Sequence, residues 1–407
     1  HDLRIALTRV AEARALRGET RLDLAPTVTA GAGYTEQRLA EAQRTPGVPR
    51  DLELYDAGFD AFWELDFFGR IRRAVEASNA ELGAAEANLR DAQVIVTAEV
   101  TRTYFELRGQ QQQLDVARRN VRNQGETLEL THVRLEAGRG TELDTSRAQA
   151  QLSGTLTTIA PLEAAIARSI HRLGVLTGRE PGALRETLAV SQDLPVIPRI
   201  AAVGDPAGLL RRRPDIRVAE RQLAASTARI GVAVADLFPR VSFTGSVGYV
   251  ANSTGGLGDS GSDAYFLAPG ISWAAFDLGR VRARIAGARA RADGALLQYE
   301  QTVLRALEET ENALVTHARA RQRLTHAEDA SRASSQAAGL ARLRFEGGTS
   351  DFLQVLDAER TQLEAEDRLA EARTEAATSL IAVYKSLGGG WENAPMPRPA
   401  AAARVAP

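Results

Sequence analysis

The side chains of this chain that could support catalysis or bind a metal do not form a catalytic or metal-binding set. The 407 residues include no cysteine, which excludes disulfides, thiolate metal sites and a cysteine nucleophile. The histidines, none of which has metal-ligand spacing, are His1, His132, His171, His317 and His326. Glu308, Glu309 and Glu311 form a charge cluster on a helix and not a catalytic pair. We therefore expect no metal, no cofactor and no enzymatic activity.

Four carboxylates are separated by even numbers of residues, the spacing that places side chains on one face of a strand. They are Asp56, Asp60, Glu64 and Asp66. If this face lines a water-filled pore, the carboxylates favour cations. If the sheet is only exposed to solvent, they are solubilising charge, and the pattern alone leaves both interpretations open.

A second group of polar residues lies near the C-terminus. Leu353, Asp357 and Arg360 are spaced four and three residues apart, so they share one face of a helix. Taken alone, this spacing indicates an ordinary solvated pair of charges.

The elements that carry these residues are unusually long helices and a few strands. Strands are predicted at about 27–35, 55–66, 241–249 and 265–275, and helices at about 69–136, 143–177, 279–346 and 351–387. The segment from Gly69 to Glu136 has no proline and would span roughly 100 Å as a helix. Globular helices average about 11–12 residues, so this length favours long helical hairpins that pack as coiled coils.

These elements occur twice, about 210 residues apart. The stretch FWELDFFGRIRR at 62–73 returns as SWAAFDLGRVRA at 272–283, and RLEAGRGTEL at 134–143 returns as RFEGGTSDFL at 344–353. We therefore divide the chain into a first repeat at 1–200, a second repeat at 201–390 and a disordered tail at 391–407.

The strands alternate between an apolar face and a face of small or polar residues. The aromatic residues assigned to the apolar face are Phe59, Trp63, Phe243, Tyr249, Tyr265 and Trp273. This length and pattern are typical of outer-membrane barrel strands with aromatics at the membrane interface, although a soluble sheet covered by helices on one side would give the same pattern. Four strands cannot close a barrel, so a membrane sheet requires oligomerisation. The net charge of −2 gives no indication of nucleic-acid binding.

Several of these motifs, in order, resemble the TolC-type outer-membrane efflux proteins, and in particular their OprM-like (NodT-type) branch. The main stretch is RRRPDIRVAERQLAASTARIGVAVADLFPRVSFTGSVGY at 211–249, supported by GGTSDFLQVLDAERTQL and VYKSLGGGW. The resemblance implies an α+β membrane protein with duplicated helical hairpins that form an α-barrel, and four strands contributed to a trimeric transmembrane β-barrel. It also implies an outer-membrane location extending into the periplasm, and in the full-length protein a lipid-modified cysteine.

The function implied by the resemblance is the exit duct of a tripartite efflux pump for drugs or other small molecules. The implied partners are two further chains of the homotrimer, a periplasmic adaptor, an inner-membrane transporter of the RND type and outer-membrane lipid. The alternative is a periplasmic coiled-coil adaptor or scaffold with a small β domain. The alternating strands discriminate between the two, because an adaptor needs no lipid-facing aromatics.

The resemblance also assigns roles to individual residues. Leu353 corresponds to an apolar constriction of the periplasmic gate, Asp357 to a carboxylate ring and Arg360 to its pairing position. The helix turns correspond to the adaptor-docking tip, and their glycines are Gly138, Gly140, Gly347 and Gly348. The sequence does not identify the exported substrate.

Overall fold

The computed structural model describes residues 1–43, 47, 49–195, 208 and 212–389. The expected tail at 391–407 lies outside these residues. The chain forms two compact units, one made of residues 6–88 and 215–302 and the other of residues 1–5, 89–214 and 303–407. Each unit thus takes segments from both halves of the sequence.

The first unit contains a four-stranded antiparallel sheet in the order β1-β2-β3-β4. Its strands are β1 (Thr27–Arg38), β2 (Asp51–Leu65), β3 (Arg240–Ala251) and β4 (Asp263–Ser272). Short 3-10 helices at Glu41–Gln43 and Thr254–Gly256 lie in the two hairpin connections. The sheet is therefore two hairpins, one from each repeat, joined through β2 and β3.

The helices account for most of the chain. They are α1 (Asp2–Leu22), α2 (Arg70–Glu136), α3 (Glu142–Leu176), α4 (Arg185–Leu188), α5 (Pro214–Ala235), α6 (Leu278–Glu346) and α7 (Phe352–Ser386). None of the described helices has an apolar run long enough to cross a bilayer. The predicted combination of very long helices and four strands is confirmed.

Periodic burial explains why α6 packs along its length. Val281, Ile285, Ala288 and Ala292 recur at three- and four-residue intervals and are all buried. This interval matches the 3.6-residue helical turn, so one stripe of the helix faces its neighbours. Further along α6 the buried apolar residues are mostly alanine (Ala306, Ala320, Ala327 and Ala338), which lets helix backbones approach closely.

One close approach in the second unit depends on glycine. A Cβ atom at Gly109 in α2 would clash with the side chain of Thr374 in α7, coming within 2.8 Å of its Cγ2 atom. Real Cβ contacts are rarely shorter than 3.0 Å, so this position has no room for a side chain. The pair is a fixed contact at which the backbone of α2 packs directly against the Thr374 side chain of α7.

A buried histidine joins α6 to α7. His317 is 7% exposed, and its Nδ1 atom lies 3.0 Å from the Ser379 hydroxyl. Burial, together with repulsion from Arg321, lowers the pKa of His317 below its ordinary value of 6.5. The neutral imidazole is therefore the form that suits the folded chain.

Candidate functional site

The strand register places one apolar face across all four strands. Ala30, Phe59, Val247 and Tyr265 form one row of this face, because each is the cross-strand partner of the next. Three of these side chains are strongly exposed, Phe59 at 57%, Val247 at 60% and Tyr265 at 84%. The residues that the structure describes therefore leave the apolar face uncovered, which is unusual for a soluble sheet.

The six aromatics assigned to this face divide into two groups. Register places five of them on the apolar face: Phe59, Trp63, Phe243, Tyr249 and Tyr265. Trp273 follows β4, which ends at Ser272.

Two tryptophans occupy equivalent positions in the two repeats. Trp63 Nε1 donates a hydrogen bond to Leu24 O, and Trp273 Nε1 donates one to Leu237 O, each at 3.0 Å. Each acceptor lies shortly before the first strand of its hairpin, so each indole ties the end of a hairpin to its beginning. A ring with one hydrogen-bonded end and an exposed body is suited to a membrane–water interface.

The opposite face of the sheet is lined mostly by small and polar residues, with Phe62 and Phe266 as exposed exceptions. Gly31, Gly58 and Gly248 form a row across β1, β2 and β3. A Cβ atom at Gly58 would lie 2.6 Å from Val247 O, so the backbones approach too closely for any side chain. Asp56 and Asp60 flank this row, and all five residues line a shallow cavity of about 140 Å³ with Ser246. Two of the four predicted acidic residues are therefore brought together here.

The other two carboxylates have local structural roles. Glu64 forms a two-bond ion pair with Arg70, at 2.8 and 2.7 Å. The hydrogen bonds that Arg70 donates to Glu64 raise the pKa of Arg70 above its ordinary value. The prediction that Asp66 belongs to the strand face is wrong, because β2 ends at Leu65. Its carboxylate accepts hydrogen bonds from the backbone N–H groups of Ile71 and Arg72, at 3.1 and 2.8 Å, and caps the first turn of α2.

The two helix turns share one geometry. Gly138 and Gly348 both adopt positive φ, +68° and +72°, as expected where a helix ends in a left-handed residue. The other glycine of the first turn, Gly140, follows Gly138, whereas the other glycine of the second turn, Gly347, precedes Gly348. The turns are followed by different caps, since Thr141 forms a capping box with Asp144 whereas Asp351 makes no side-chain cap.

An arginine beside the first helix turn contacts the residues of the second helix turn. The Arg134 guanidinium lies 3.9 Å from the centroid of the Phe345 ring, and its Nη2 atom donates to Phe345 O at 3.0 Å. Phe345 in turn packs on Phe352, with ring centroids 5.3 Å apart. The two turns are thus one packed structure within the chain.

The residues assigned to the gate lie on an exposed face of α7. Leu353 is 49% exposed, and the side chains of Asp357 and Arg360 are 66% and 64% exposed. Arg360 Nη2 donates to Asp357 Oδ1 at 2.7 Å, so the helical spacing does bring these two residues together. A solvent-exposed pair of this kind adds little stability, so the pair is free to rearrange at low cost.

Sequence reasoning missed two exposed aromatics and one buried carboxylate. Phe67 and Phe276, which follow β2 and β4, are 65% and 107% exposed. They lie outside the alternating pattern, and proximity to a strand end was the only available signal. Glu359 in α7 is 6% exposed and pairs with the partly exposed Arg342, an ion pair that no local pattern predicts. Within the described residues, no group of three histidine or carboxylate side chains could hold a metal ion.

The sequence matches the family described as "Outer membrane efflux protein" over residues 1–179 and 206–389. It is 32% identical over 397 residues to the solvent efflux pump outer membrane protein SrpC of Pseudomonas putida, covering 96% of this chain and 83% of that protein. It is 31% identical over 394 residues to nodulation protein T of Rhizobium leguminosarum bv. trifolii, covering 96% of this chain and 81% of that protein.

Solved structures give the same result. The outer-membrane channel OprN superposes with a TM-score of 0.88 at 47% identity, covering 96% of this chain and 87% of the channel. These similarities confirm the predicted family and its OprM-like, NodT-type branch, and they favour a channel over a periplasmic adaptor or scaffold. The chain therefore belongs to the outer membrane efflux protein family and is an outer-membrane exit duct.

Proposed function

We propose that three copies of the chain close their sheets into one twelve-stranded barrel, the exit of a tripartite efflux pump. The observation that carries this proposal is the exposed apolar face, which lies opposite a polar face rich in glycine and serine. Within the described chain β1 and β4 are edge strands, and a barrel removes such edges. The apolar face would then contact lipid, and the polar face would line the lumen.

Disulfide cross-linking can test the trimer, because these 407 residues contain no cysteine that could form a competing bond. We would place one cysteine at Thr29 in β1 and scan a second along β4 from 264 to 268, in protein assembled in membranes. Oxidation should give species up to three chains and none larger. A control pair at Phe59 and Val247, which are partners within one chain, should give only an internal bond. A ladder that ends at two chains or extends beyond three would contradict the trimer.

The proposed lumen is acidic at two positions per chain. Asp56 and Asp60 flank the glycine row, so three chains would place six carboxylates around the barrel. Such a zone would favour cations over anions. Replacing both residues with asparagine should reduce cation selectivity, measured as the reversal potential across a salt gradient, and an unchanged potential would argue against a lumenal position.

We assign the periplasmic gate to Leu353, Asp357 and Arg360. Three exposed Asp357 side chains brought together at a three-fold axis would repel one another, so closure requires nearby cations or protonation. Arg360 already lies within hydrogen-bond distance of Asp357 and can supply the positive charge. Leu353, two turns of α7 before Arg360, would supply an apolar constriction.

The partners follow from the same assembly. We propose that the packed turns containing Gly138, Gly140, Gly347 and Gly348 dock a periplasmic adaptor, and that the pump's inner-membrane transporter is of the RND type. Small organic molecules are the proposed cargo, supported by the solvent pump relative. Each repeat, 1–200 and 201–390, would supply one strand hairpin and one helical hairpin. Photo-cross-linking from residue 139 should capture the adaptor, and the same probe on the buried side of α3 should not.

A further inference from the structure

The segment of α7 that carries the proposed gate has a buried carboxylate on its opposite side. Glu359 is 6% exposed, although it lies between Asp357 and Arg360, whose side chains are mostly exposed. A buried carboxylate is costly unless it is paired and hydrogen-bonded. Its partners therefore show what holds this part of the helix.

Glu359 joins three helices through a single oxygen. Its Oε1 atom accepts a hydrogen bond from the Thr127 hydroxyl in α2 at 3.0 Å and another from Arg342 Nη2 in α6 at 2.8 Å. Arg342 Nη2 also lies 3.5 Å from the Thr127 hydroxyl. These residues come from both repeats, so the contact fastens the second helical hairpin to the first.

The second oxygen of Glu359 borders a polar cavity of about 190 Å³. The cavity is lined from α2 by Asn120, Asn123 and Gln124, from α6 by Ser335, Ala338, Gly339 and Arg342, and from α7 by Glu359 and Gln362. Glu359 Oε2 and both polar atoms of the Gln124 side chain are buried and make no hydrogen bond to the described residues. A polar cavity of this size can hold water beside the contact between Glu359, Arg342 and Thr127.

The contact made by Glu359 differs in burial and position from two other polar contacts between α2 and α7. Arg119 Nη2 and Glu366 Oε2 are 3.5 Å apart, with side chains 56% and 17% exposed. Gln113 Nε2 donates to Asp367 Oδ1 at 3.1 Å. Of these links, the one at Glu359 is the most deeply buried and the nearest to the start of α7, beyond the fixed contact of Gly109 with Thr374.

We propose that Glu359 is the positioning residue that holds the N-terminal turns of α7 against α2 and α6, and so sets where Leu353, Asp357 and Arg360 point. The importance of this position for transport rests on the proposed gate. Glu359 acts through the helix and does not itself contact cargo.

Hydrogen exchange of the membrane-assembled protein measures this positioning directly. In Glu359→Ala, backbone amides at 352–362 should exchange about tenfold faster, the factor expected on losing hydrogen bonds to a buried charge. Glu359→Gln keeps an acceptor and should fall between Ala and the natural residue. Glu366→Ala is the matched control: it removes a longer and more exposed pair with Arg119 and the side-chain hydrogen bond from Gln362, so exchange at 352–361 should stay nearly unchanged.

The partner residue adds a second test. Arg342→Met leaves the buried carboxylate without its counter-charge and should disturb 352–362 more than Glu359→Gln does. Combining Arg342→Met with Glu359→Gln removes the unpaired charge, so the double variant should be milder than Arg342→Met alone. Effects that simply add would contradict a direct pairing between the two residues.

Two readouts separate this inference from the gate assignment. Unchanged exchange at 352–362 in Glu359→Ala, or an equal increase in Glu366→Ala, overturns the positioning role whatever the channel does. Faster exchange supports it, and a parallel rise in channel conductance extends it to gating. Faster exchange with conductance unchanged in both Glu359→Ala and the Asp357→Ala/Arg360→Ala variant would leave the positioning role intact and overturn the gate assignment. If that double variant conducts more and Glu359→Ala does not, Glu359 positions the helix without controlling the gate.

Discussion

A charge placed on the apolar face of the sheet should destabilise the protein, whereas the same charge one residue away should not. Val247 lies in the middle of β3 on the apolar face, between Phe59 and Tyr265, and is 60% exposed. No described residue covers it, so in the proposed barrel Val247→Arg would place a guanidinium in lipid. At the midplane of a bilayer this costs about 2–4 kcal/mol per chain.

Ser246 provides the matched control, because it is adjacent in sequence and faces the other way. Its cross-strand partner is Asp60, so Ser246→Arg places the new charge beside a carboxylate on the polar face. We expect that variant to lie within about 0.5 kcal/mol of the natural protein.

Denaturant unfolding from lipid vesicles, followed by tryptophan fluorescence, gives both free energies. Two of the three tryptophans, Trp63 and Trp273, report on the sheet. A Val247→Arg variant as stable as the natural protein, or a Ser246→Arg variant that is the less stable of the two, would refute the assignment of the two faces.

Two further predictions concern the helices. Gly109→Ala should destabilise the protein by about 1–3 kcal/mol, because the new methyl group clashes with Thr374. Gly125→Ala, where the added methyl group has open space, should be neutral or stabilising. Thr374→Ala should partly restore the stability of Gly109→Ala, and equal unfolding midpoints for the two glycine variants would contradict the packing. The depressed pKa of His317 means that the unfolded chain binds its proton more readily, so stability should be full above pH 6.5 and fall as the pH drops below it. Melting temperatures measured across this range should show a smaller slope in His317→Gln, and an identical slope in both proteins would contradict the burial argument.

The alternating face of the sheet could be predicted because it is encoded locally. Side chains in a strand alternate with a period of two, so Val247 and Ser246 are assigned to opposite faces by parity alone. The long helices could be predicted for the same reason, since the absence of proline and the spacing of small apolar residues are visible in the sequence.

The two-residue alternation gave a wrong assignment at the point where a strand ends. It placed Asp66 with Asp56 and Asp60, but the chain leaves the sheet after Leu65 and the carboxylate turns to the first N–H groups of α2. An aspartate shortly before a helix is a recognised start signal, so giving that signal more weight than alternation would have corrected the prediction.

The contacts that hold the second turn region could not be predicted from sequence. Glu359 and Thr127 are 232 residues apart, and Arg134 and Phe345 are 211 apart. Side-chain spacing carries information only over a few turns of one helix. Which residues meet across hairpins depends on how those hairpins pack, and that is set by the whole fold.

The central claim, that this chain forms a gated duct across the outer membrane, is tested most directly by single-channel conductance in planar lipid bilayers. The natural protein should give discrete channels of low conductance, and the Asp357→Ala/Arg360→Ala variant should give the same channels with higher conductance. Failure of both folded proteins to conduct after insertion into the bilayer would contradict the account.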